Sequence, residues 1–216
     1  MKGKLMALTF RPVRKEDFKK AFHFAIVGMH FDRYLKNDIL LNLYGRYFWY
    51  MELERASQVI AAYHGDELLG VLLADMKGEP KAYRSFGQSL YVRVVDFLQN
   101  TFVKDGVGPY DTANEEMLKK YSEESTPDGE ICFLAVNPDR KIAGIGTLLL
   151  REFERREPGK RVFLYTDSNC TYQFYEHRGF ARAQEREISL EFEEKRTVPL
   201  TCFLYSKEIP AVPEMV

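Results

Sequence analysis

The chain has 216 residues, of which 45% are hydrophobic and 29% are charged, so we expect a buried core and no long disorder. Its 31 basic residues nearly balance 32 acidic ones, and the net charge of -1 argues against a protein held on nucleic acid or on anionic lipid by bulk charge. No apolar run approaches the roughly 18 residues needed to span a bilayer, and the N-terminus lacks the features of a signal peptide.

Hydrophobic spacing predicts strands and helices through the N-terminal third. Residues 8–13 are β-prone, and an amphipathic stretch up to Ile26 predicts the first helix. A second helix is predicted over residues 38–55. Two strands, 58–64 and 67–76, flank the turn Gly65-Asp66 and predict a β-hairpin.

Residues 78–129 break this pattern, because glycine and proline interrupt them repeatedly. They contain one good helix, predicted at 89–102, and a weaker one at 114–121. The segment is too short to bury a core of its own, so we interpret it as a helical insertion in a single domain spanning residues 1–216. Its end, 111–130, holds seven acids and two bases, which predicts a solvated acidic surface or, alternatively, a rim that attracts a cationic substrate.

The C-terminal half predicts one βαβ unit followed by a hairpin of long strands. The apolar run 131–136 is typical of a strand covered on both faces, and with the helix at 144–157 and the strand at 162–165 it predicts two parallel strands. The remaining elements are a short helix at 169–177 and strands at 181–192 and 198–207.

The cysteines Cys132, Cys170 and Cys202 lie far apart and form no CxxC pair. This spacing fits neither a disulfide framework nor a zinc site, and no histidine has ligand spacing with another ligand type. We therefore expect no metal and a reduced, cytoplasmic compartment.

The most informative segment runs from Val136 to Thr147, where a strand ends and Gly144 and Gly146 open a helix. The first turn of a helix has free backbone N–H groups and the positive end of the helix dipole. Glycines there let an anion approach the backbone closely. Residues 138–161 hold seven bases and four acids, a local charge of +3, which favours a di- or triphosphate ligand.

Three phosphate sites compete for this segment. A Walker P-loop requires GxxxxGK[ST], which is absent. A Rossmann fingerprint requires a third glycine where Leu149 stands, although Asp167 lies where a ribose-binding acid would. The third candidate is an acyl-CoA site.

The segment resembles the GNAT superfamily of N-acetyltransferases, whose signature [RQ]-x-x-G-x-[GA] follows a buried strand. Lys141, Gly144 and Gly146 occupy the signature positions. Lys141 replaces the usual Arg or Gln, and Ile142 replaces a common Gly. Lysine keeps the charge but loses the planar fork, which the neighbouring Arg140 could supply instead.

A second family block, N-x-x-A-x-x-F/L-Y-E-x-x-G-F, resembles residues 169–180, with Tyr172 in place of the customary small residue. Together the two blocks imply an α/β fold of the GNAT type. It has a mixed, mostly antiparallel sheet of about seven strands flanked by helices, with one βαβ cofactor unit. The implied cofactor is acetyl-CoA. The resemblance implies cofactor contacts from Leu134, Ala135, Val136, Lys141, Ile142, Ala143, Gly144, Ile145, Gly146, Thr147, Asn169, Tyr172 and Tyr175.

Transfer of an acetyl group to an amine requires removal of a proton from a group whose pKa is about 10.4, and a proton for the departing thiolate. The resemblance implies Glu130 as the candidate base, with Asp128 the weaker alternative. We expect burial of Glu130 beside Ile131 to raise its pKa. Tyr175 is the candidate acid, and backbone N–H groups near 134–136 are expected to stabilise the oxyanion.

The first two helices border the acceptor pocket in the family, which makes Tyr47 and Trp49 candidate substrate contacts. We expect transfer of the acetyl group to a primary amine of a small molecule, by direct attack in a ternary complex. The alternatives are a protein or peptide N-acetyltransferase, a non-catalytic acyl-CoA-binding sensor or scaffold, and a nucleotide-binding module. The sequence leaves open whether the chain forms a homodimer.

Overall fold

The computed structural model describes residues 8–31, 37–102, 108–140, 142–192 and 196–211. Their strands are β1 (Leu8–Arg11), β2 (Gln58–His64), β3 (Glu67–Met76), β4 (Gly129–Val136), β5 (Arg161–Asp167), β6 (Ala181–Phe192) and β7 (Arg196–Glu208). Their helices are α1 (Phe18–Gly28), α2 (Asp38–Arg55), α3 (Phe86–Phe102), α4 (Gly108–Glu124), α5 (Ile145–Arg156) and α6 (Gln173–Glu176). The strands form one open, mostly antiparallel sheet in the order β1-β2-β3-β4-β5-β7-β6, which confirms the predicted fold class.

Most predicted elements are present, and α2, β2, β3 and β6 have the predicted bounds. Helix α4 is longer than predicted and begins at Gly108. The sequence analysis treated Pro109 as a helix breaker, but a proline in the first turn of a helix interrupts no hydrogen bond. Helix α6 is shorter than predicted, because Asp167 accepts hydrogen bonds that fold residues 168–170 into a turn.

Contacts divide the chain into two compact units. The first comprises residues up to Ser89 together with Cys132–Glu157, and the second comprises Leu90–Ile131 together with residues from Pro158 onward. The single domain expected from the sequence stays a prediction. Among the helices in the described ranges, none combines the length and apolar character needed to cross a bilayer.

The core of the first unit lies between helices α1 and α2 and the strands β1–β3. Its largest fully buried side chains include Trp49, Tyr63 and Phe133. Strand β2 pairs antiparallel with both β1 and β3. Gly45 lets α1 and α2 approach closely, because a Cβ at this position would lie 2.5 Å from Ile26 Cγ1.

The second unit contains the parallel pair that the βαβ pattern predicts. Gly129 and Glu130 at the start of β4 pair in register with Val162 and Phe163 of β5, and this pairing is parallel. Strand β7 pairs antiparallel with β5 and with β6. Helix α4 of the predicted insertion packs on this part of the sheet. Its buried face contributes Ala113, Met117 and Tyr121 to a cluster with Phe163, Leu200, Cys202 and Leu204.

Strand β4 is not covered on both faces, contrary to the expectation from its apolar run. Its side chains alternate: one face is buried, whereas Cys132 and Leu134 on the other are half-buried and Val136 is 44% exposed. An apolar sequence shows that a strand can be buried, but it does not show whether one face or both faces of the strand are covered.

A buried carboxylate joins α1 to the hairpin of the first unit. Asp17 is 1% exposed and accepts hydrogen bonds from Arg14 Nε (2.7 Å), Lys20 Nζ (2.7 Å) and the Tyr63 hydroxyl (3.0 Å). Burial acts to raise the pKa of the Asp17 carboxyl, but the hydrogen bonds from these three partners outweigh it, and the pKa is lowered. The ionised form of Asp17 therefore stabilises the folded chain.

We expect Asp17→Asn to reduce the free energy of unfolding at pH 7 by about 1–3 kcal/mol, because three donors lose a charged acceptor. Because the pKa of Asp17 is lower in the folded chain, its carboxylate stabilises the fold fully above the usual aspartate pKa of about 3.9. This stabilisation is lost as the pH falls through the pKa that Asp17 has in the folded chain. The difference between wild type and variant, measured by urea unfolding, should therefore shrink below about pH 4.

Asp66→Asn is the matched control, because Asp66 binds the same arginine at 3.0 Å but its side chain is 91% exposed. An exposed ion pair contributes little to the free energy of unfolding, so this variant should unfold like the wild type both at pH 7 and below about pH 4. A difference between Asp17→Asn and wild type that does not change with pH would contradict the assignment.

Candidate functional site

The turn between β4 and α5 is held to the neighbouring strand by Asn137. Its backbone N–H donates to Leu69 O (2.8 Å), and its side-chain amide donates to Leu68 O (3.2 Å). Asn137 Oδ1 also accepts from the backbone N–H of Asp139 (2.9 Å). The sequence analysis passed over this residue, although Asn-Pro is a recognised start of a turn. Asn137 thus fixes the path that the chain takes from β4 toward α5.

Gly144 is the N-cap of α5 and has a φ of +87°, a conformation that favours glycine. Among the described residues, no atom lies within 4 Å of a Cβ built on Gly144, so the space beside this residue is open to them. The first intrahelical bond runs from Leu148 N to Gly144 O at 3.0 Å, and helix geometry leaves the preceding amides without an intrahelical acceptor. Ile145 and Gly146 are buried behind this opening.

Three large apolar side chains near Gly144 in the sequence are exposed. Val136, Ile142 and Leu148 are 44%, 48% and 36% exposed, and all three belong to the first unit. A segment that carries exposed apolar side chains and backbone donors suits a ligand that has an anionic part and an apolar part. An elongated organic phosphate has this character.

A glycine on β3 lets the helix pack tightly behind this turn. A Cβ on Gly70 would lie 3.0 Å from both Ala135 O and Leu149 Cδ1, so any side chain would displace β4 or α5. The sequence analysis did not single out Gly70. A glycine inside a strand pattern is the signal that could have found it, because it often marks a close backbone approach.

The basic residues counted around the turn are less available than the sequence suggested. Arg140 Nε donates to Glu67 Oε1 at 2.6 Å, so its guanidinium is already paired with a carboxylate on β3. Arg155 and Arg156 both bind Glu152 at 2.9 Å, at the end of α5 remote from Gly144. Lys141, the signature residue, lies outside the described residues. Binding of an anion at this turn would therefore depend more on the backbone amides than on the basic side chains.

The second family block begins with a turn at the end of β5. Asp167 Oδ1 accepts from the backbone N–H of Asn169 at 2.8 Å, and Cys170 N donates to Asp167 O at 3.1 Å. Burial, followed by the nearby Asp167 charge, raises the pKa of Cys170 to about 12, so this thiol stays protonated near neutral pH and is no nucleophile. The half-buried ring of Tyr172 lies 4.9 Å from the ring of Phe203.

Tyr175 is surrounded by aromatic rings. Its ring centroid lies 5.1 Å from that of Phe174, 5.7 Å from that of Phe180 and 6.5 Å from that of Tyr205, on which it stacks. Burial, with a smaller contribution from Cys170, raises the pKa of the Tyr175 phenol well above its usual value. The phenol therefore remains protonated at physiological pH and can donate a hydrogen bond.

The two candidate bases have different surroundings at the start of β4. Asp128 N donates to Arg161 O at 2.6 Å, and Asp128 Oδ2 accepts from Arg161 N at 2.8 Å, so Asp128 is engaged in closing the β4–β5 pair. Glu130 is half-buried and pairs in register with Phe163. The role of Glu130 as base stays a prediction.

Tyr47 and Trp49, the predicted acceptor contacts, both lie in α2 and are buried. Trp49 is 0% exposed, and its ring lies 5.7 Å from that of Phe18 and 5.9 Å from that of Phe133. Tyr47 is 8% exposed and lies 6.0 Å from Tyr44, ring to ring. Packing explains both positions, and their contact with an acceptor stays a prediction.

The structure divides the predicted cofactor contacts between the two units. The first unit holds Leu134, Ala135, Val136 and the residues Ile142 to Thr147, and the second holds Asn169, Tyr172 and Tyr175, together with the candidate base Glu130. In the first unit, the backbone amides that follow Gly144 have the chemistry to bind a diphosphate such as that of acetyl-CoA. The exposed apolar side chains of Val136, Ile142 and Leu148 have the chemistry to bind its arm.

Comparisons with known proteins identify the family and the fold of the chain. The model of the Acetyltransferase (GNAT) family matches residues 25–180. No functionally curated protein matches the sequence.

Solved structures share the fold at low identity. A protein assigned to the GNAT family from Desulfovibrio desulfuricans is 16% identical with a TM-score of 0.50, and 94% of this chain covers 99% of that one. A protein described as histone acetyltransferase HPA2 and related acetyltransferase, from Corynebacterium glutamicum, is 15% identical with a TM-score of 0.51 and coverages of 98% and 100%. A candidate phosphinothricin N-acetyltransferase is 13% identical with a TM-score of 0.53 and coverages of 94% and 99%.

The family match extends over both sequence blocks, from the β4–α5 turn to Phe180. The chain therefore belongs to the GNAT family of acetyltransferases, and family and fold together make it an N-acetyltransferase.

Proposed function

We propose that the chain transfers the acetyl group of acetyl-CoA to the primary amine of a small molecule, by direct attack in a ternary complex. The observation that carries this proposal is the helix start at Gly144, where a Cβ would meet no atom of the described part of the chain within 4 Å. Cys132, Cys170 and Cys202, which all lie in the described part of the chain, form no disulfide, which suits the reduced, cytoplasmic compartment that we propose for the protein.

The first unit supplies the binding surface for the cofactor. The amides at the start of α5, from Gly144 to Gly146, would hold the diphosphate, with Lys141 as an added charge. The exposed side chains of Val136 and Ile142 would cover apolar parts of the molecule. Backbone N–H groups of residues 134–136 in β4 would contact the arm and the thioester oxygen.

The second unit supplies the groups that handle protons. Acetyl-CoA brings a thioester, whose carbonyl carbon accepts the amine. Glu130 would take a proton from the amine, directly or through water, since an ammonium ion cannot attack. Tyr175 would donate to the departing sulfur, and because its pKa is raised it acts mainly as a hydrogen-bond donor to the thiolate.

Release of free thiol from acetyl-CoA in the presence of an amine panel tests the proposed reaction. The panel should contain small amines and peptides with free amino groups. One structural relative is described as a phosphinothricin N-acetyltransferase and another as a histone acetyltransferase. Faster release with small amines supports the proposal, and faster release with peptides favours a protein acceptor. Tight CoA binding without release for any amine would instead indicate a sensor or scaffold.

Gly144→Asp should weaken CoA binding about tenfold or more, because a carboxylate would stand in front of the helix start and repel the diphosphate. Isothermal titration calorimetry with coenzyme A measures the effect. Gly144→Asn is the matched control, since it has the same size and the same backbone strain but no charge. Equal affinities for the two variants would contradict the phosphate assignment.

Tyr175→Phe should reduce turnover about 10- to 100-fold, because the variant loses one hydrogen bond to the negative charge that develops on the sulfur. The affinity for CoA should change little. Steady-state kinetics and calorimetry together measure the two quantities. Tyr165→Phe serves as the control, because its hydroxyl donates to the backbone oxygen of Asn114 at 3.2 Å on α4. Unchanged turnover in Tyr175→Phe would remove its proposed role.

A further inference from the structure

We propose that a closed ring of three polar side chains, Glu176, Arg182 and Tyr205, positions Tyr175 for its interaction with the coenzyme sulfur. The inference rests on the proposed function, because Tyr175 is assigned to the sulfur only there. None of the three ring members was singled out by the sequence blocks for a role of its own. All four residues lie in the second unit.

The ring is closed by three hydrogen bonds. The Tyr205 hydroxyl donates to Glu176 Oε1 at 2.6 Å, and Arg182 Nη2 donates to the same oxygen at 2.9 Å. Arg182 Nε donates to the Tyr205 oxygen at 3.1 Å. Each member therefore binds both others, which fixes all three side chains more firmly than separate pairs would.

The protonation states of the ring match this pattern of donors and acceptors. Burial and the bond to Glu176 raise the pKa of Tyr205 to about 12, so its hydroxyl remains a donor. Hydrogen bonds from Tyr205 and Arg182 lower the pKa of Glu176, so its carboxylate remains an acceptor. The ring keeps one arrangement across the physiological pH range.

Tyr205 connects the ring to Tyr175 through aromatic stacking. Its side chain is 0% exposed, and its aromatic plane is inclined 30° to that of Tyr175. It belongs to β7 and pairs in register with Leu164 of β5 and Arg182 of β6, so its backbone is held on both sides. Tyr175 thus rests on a ring whose own position is set by the sheet and by two polar partners.

Helix α6 cannot hold Tyr175 by itself. The helix has four residues, and a single helical turn is unstable without tertiary contacts. Glu176, the residue after Tyr175, is fixed to β6 and β7 through Arg182 and Tyr205. The backbone oxygen of Tyr175 accepts from Arg178 N at 2.9 Å and Phe180 N at 3.2 Å, which orients the turn. The polar ring supplies the link between this turn and the sheet.

The test uses coenzyme A itself as the probe, so it requires no known acceptor. The pKa of the bound thiol is read from the ultraviolet absorbance of the thiolate, as a difference against desulfo-CoA over a pH series. A donor at the sulfur stabilises the thiolate and lowers the thiol pKa. Tyr175→Phe should therefore raise that pKa by about one unit, the value of a hydrogen bond to a charged group.

Tyr205→Phe keeps the stacked ring and removes only the hydroxyl, and it should raise the thiol pKa by a comparable amount. If Tyr205 acts through Tyr175, the double variant Tyr175→Phe/Tyr205→Phe should show no rise beyond that of Tyr175→Phe alone. Glu176→Gln removes the charged acceptor at an exposed site and should give the same rise if Tyr205→Phe folds poorly.

Tyr121→Phe is the matched control. Its hydroxyl is 2.6 Å from Ser206 Oγ on β7, so the variant also loses a hydroxyl contact to that strand, but its ring does not stack on Tyr175. Tyr121→Phe should leave the thiol pKa unchanged, whatever it does to the melting temperature.

Three results would overturn the positioning role. They are an unchanged thiol pKa in both Tyr205→Phe and Glu176→Gln, additive shifts in the double variant, or no shift in Tyr175→Phe. Each leaves acetyl transfer standing if thiol release with amines persists. Failure of the wild type to bind coenzyme A would overturn the positioning role and the proposed function together.

Discussion

The backbone amides at the start of α5, which helix geometry leaves without an acceptor inside the helix, are the constraint on which the proposed binding surface depends. Gly144 begins the helix with a positive φ and no side chain, and Asn137 ties the preceding loop to β3. Behind the turn, Gly70 allows α5 to pack against the strands without a gap. The proposed anion site is made from backbone donors and would therefore tolerate changes in nearby side chains, such as Lys141 where the family has Arg or Gln.

The second unit meets a different requirement, that of holding one phenol in place on a short helix. Tyr175 lies among aromatic rings, and the polar contacts of Tyr205 and Arg182 fix those rings to two strands. The raised pKa of Tyr175 limits its chemistry, since a phenol that remains protonated stabilises a thiolate by donation more readily than by full proton transfer. Geometry and protonation thus favour the same role.

The sequence analysis was most accurate where the local pattern was strong. The bounds of α2 and the β2–β3 hairpin agree with the structure, because amphipathic spacing and turn residues act over short distances. It was less accurate where the partner of a residue is remote in sequence. The sequence offered Arg140 as an alternative source of a guanidinium for the anion, but Arg140 binds Glu67, which lies 73 positions away. The apolar run of β4 suggested two covered faces, although one face is open.

The sequence by itself determined the order of strands and helices, the glycine turn and the family, because each depends on spacing between nearby residues. Only the tertiary structure decided which charges are already paired, that Gly144 faces open space, and that Glu176, Arg182 and Tyr205 meet in one ring. These facts depend on the register of β6 and β7 and on the packing of α5 against β3, where residues distant in the chain become neighbours. Burial then sets the pKa of Tyr175, because desolvation depends on all the atoms around the phenol, which no local pattern specifies.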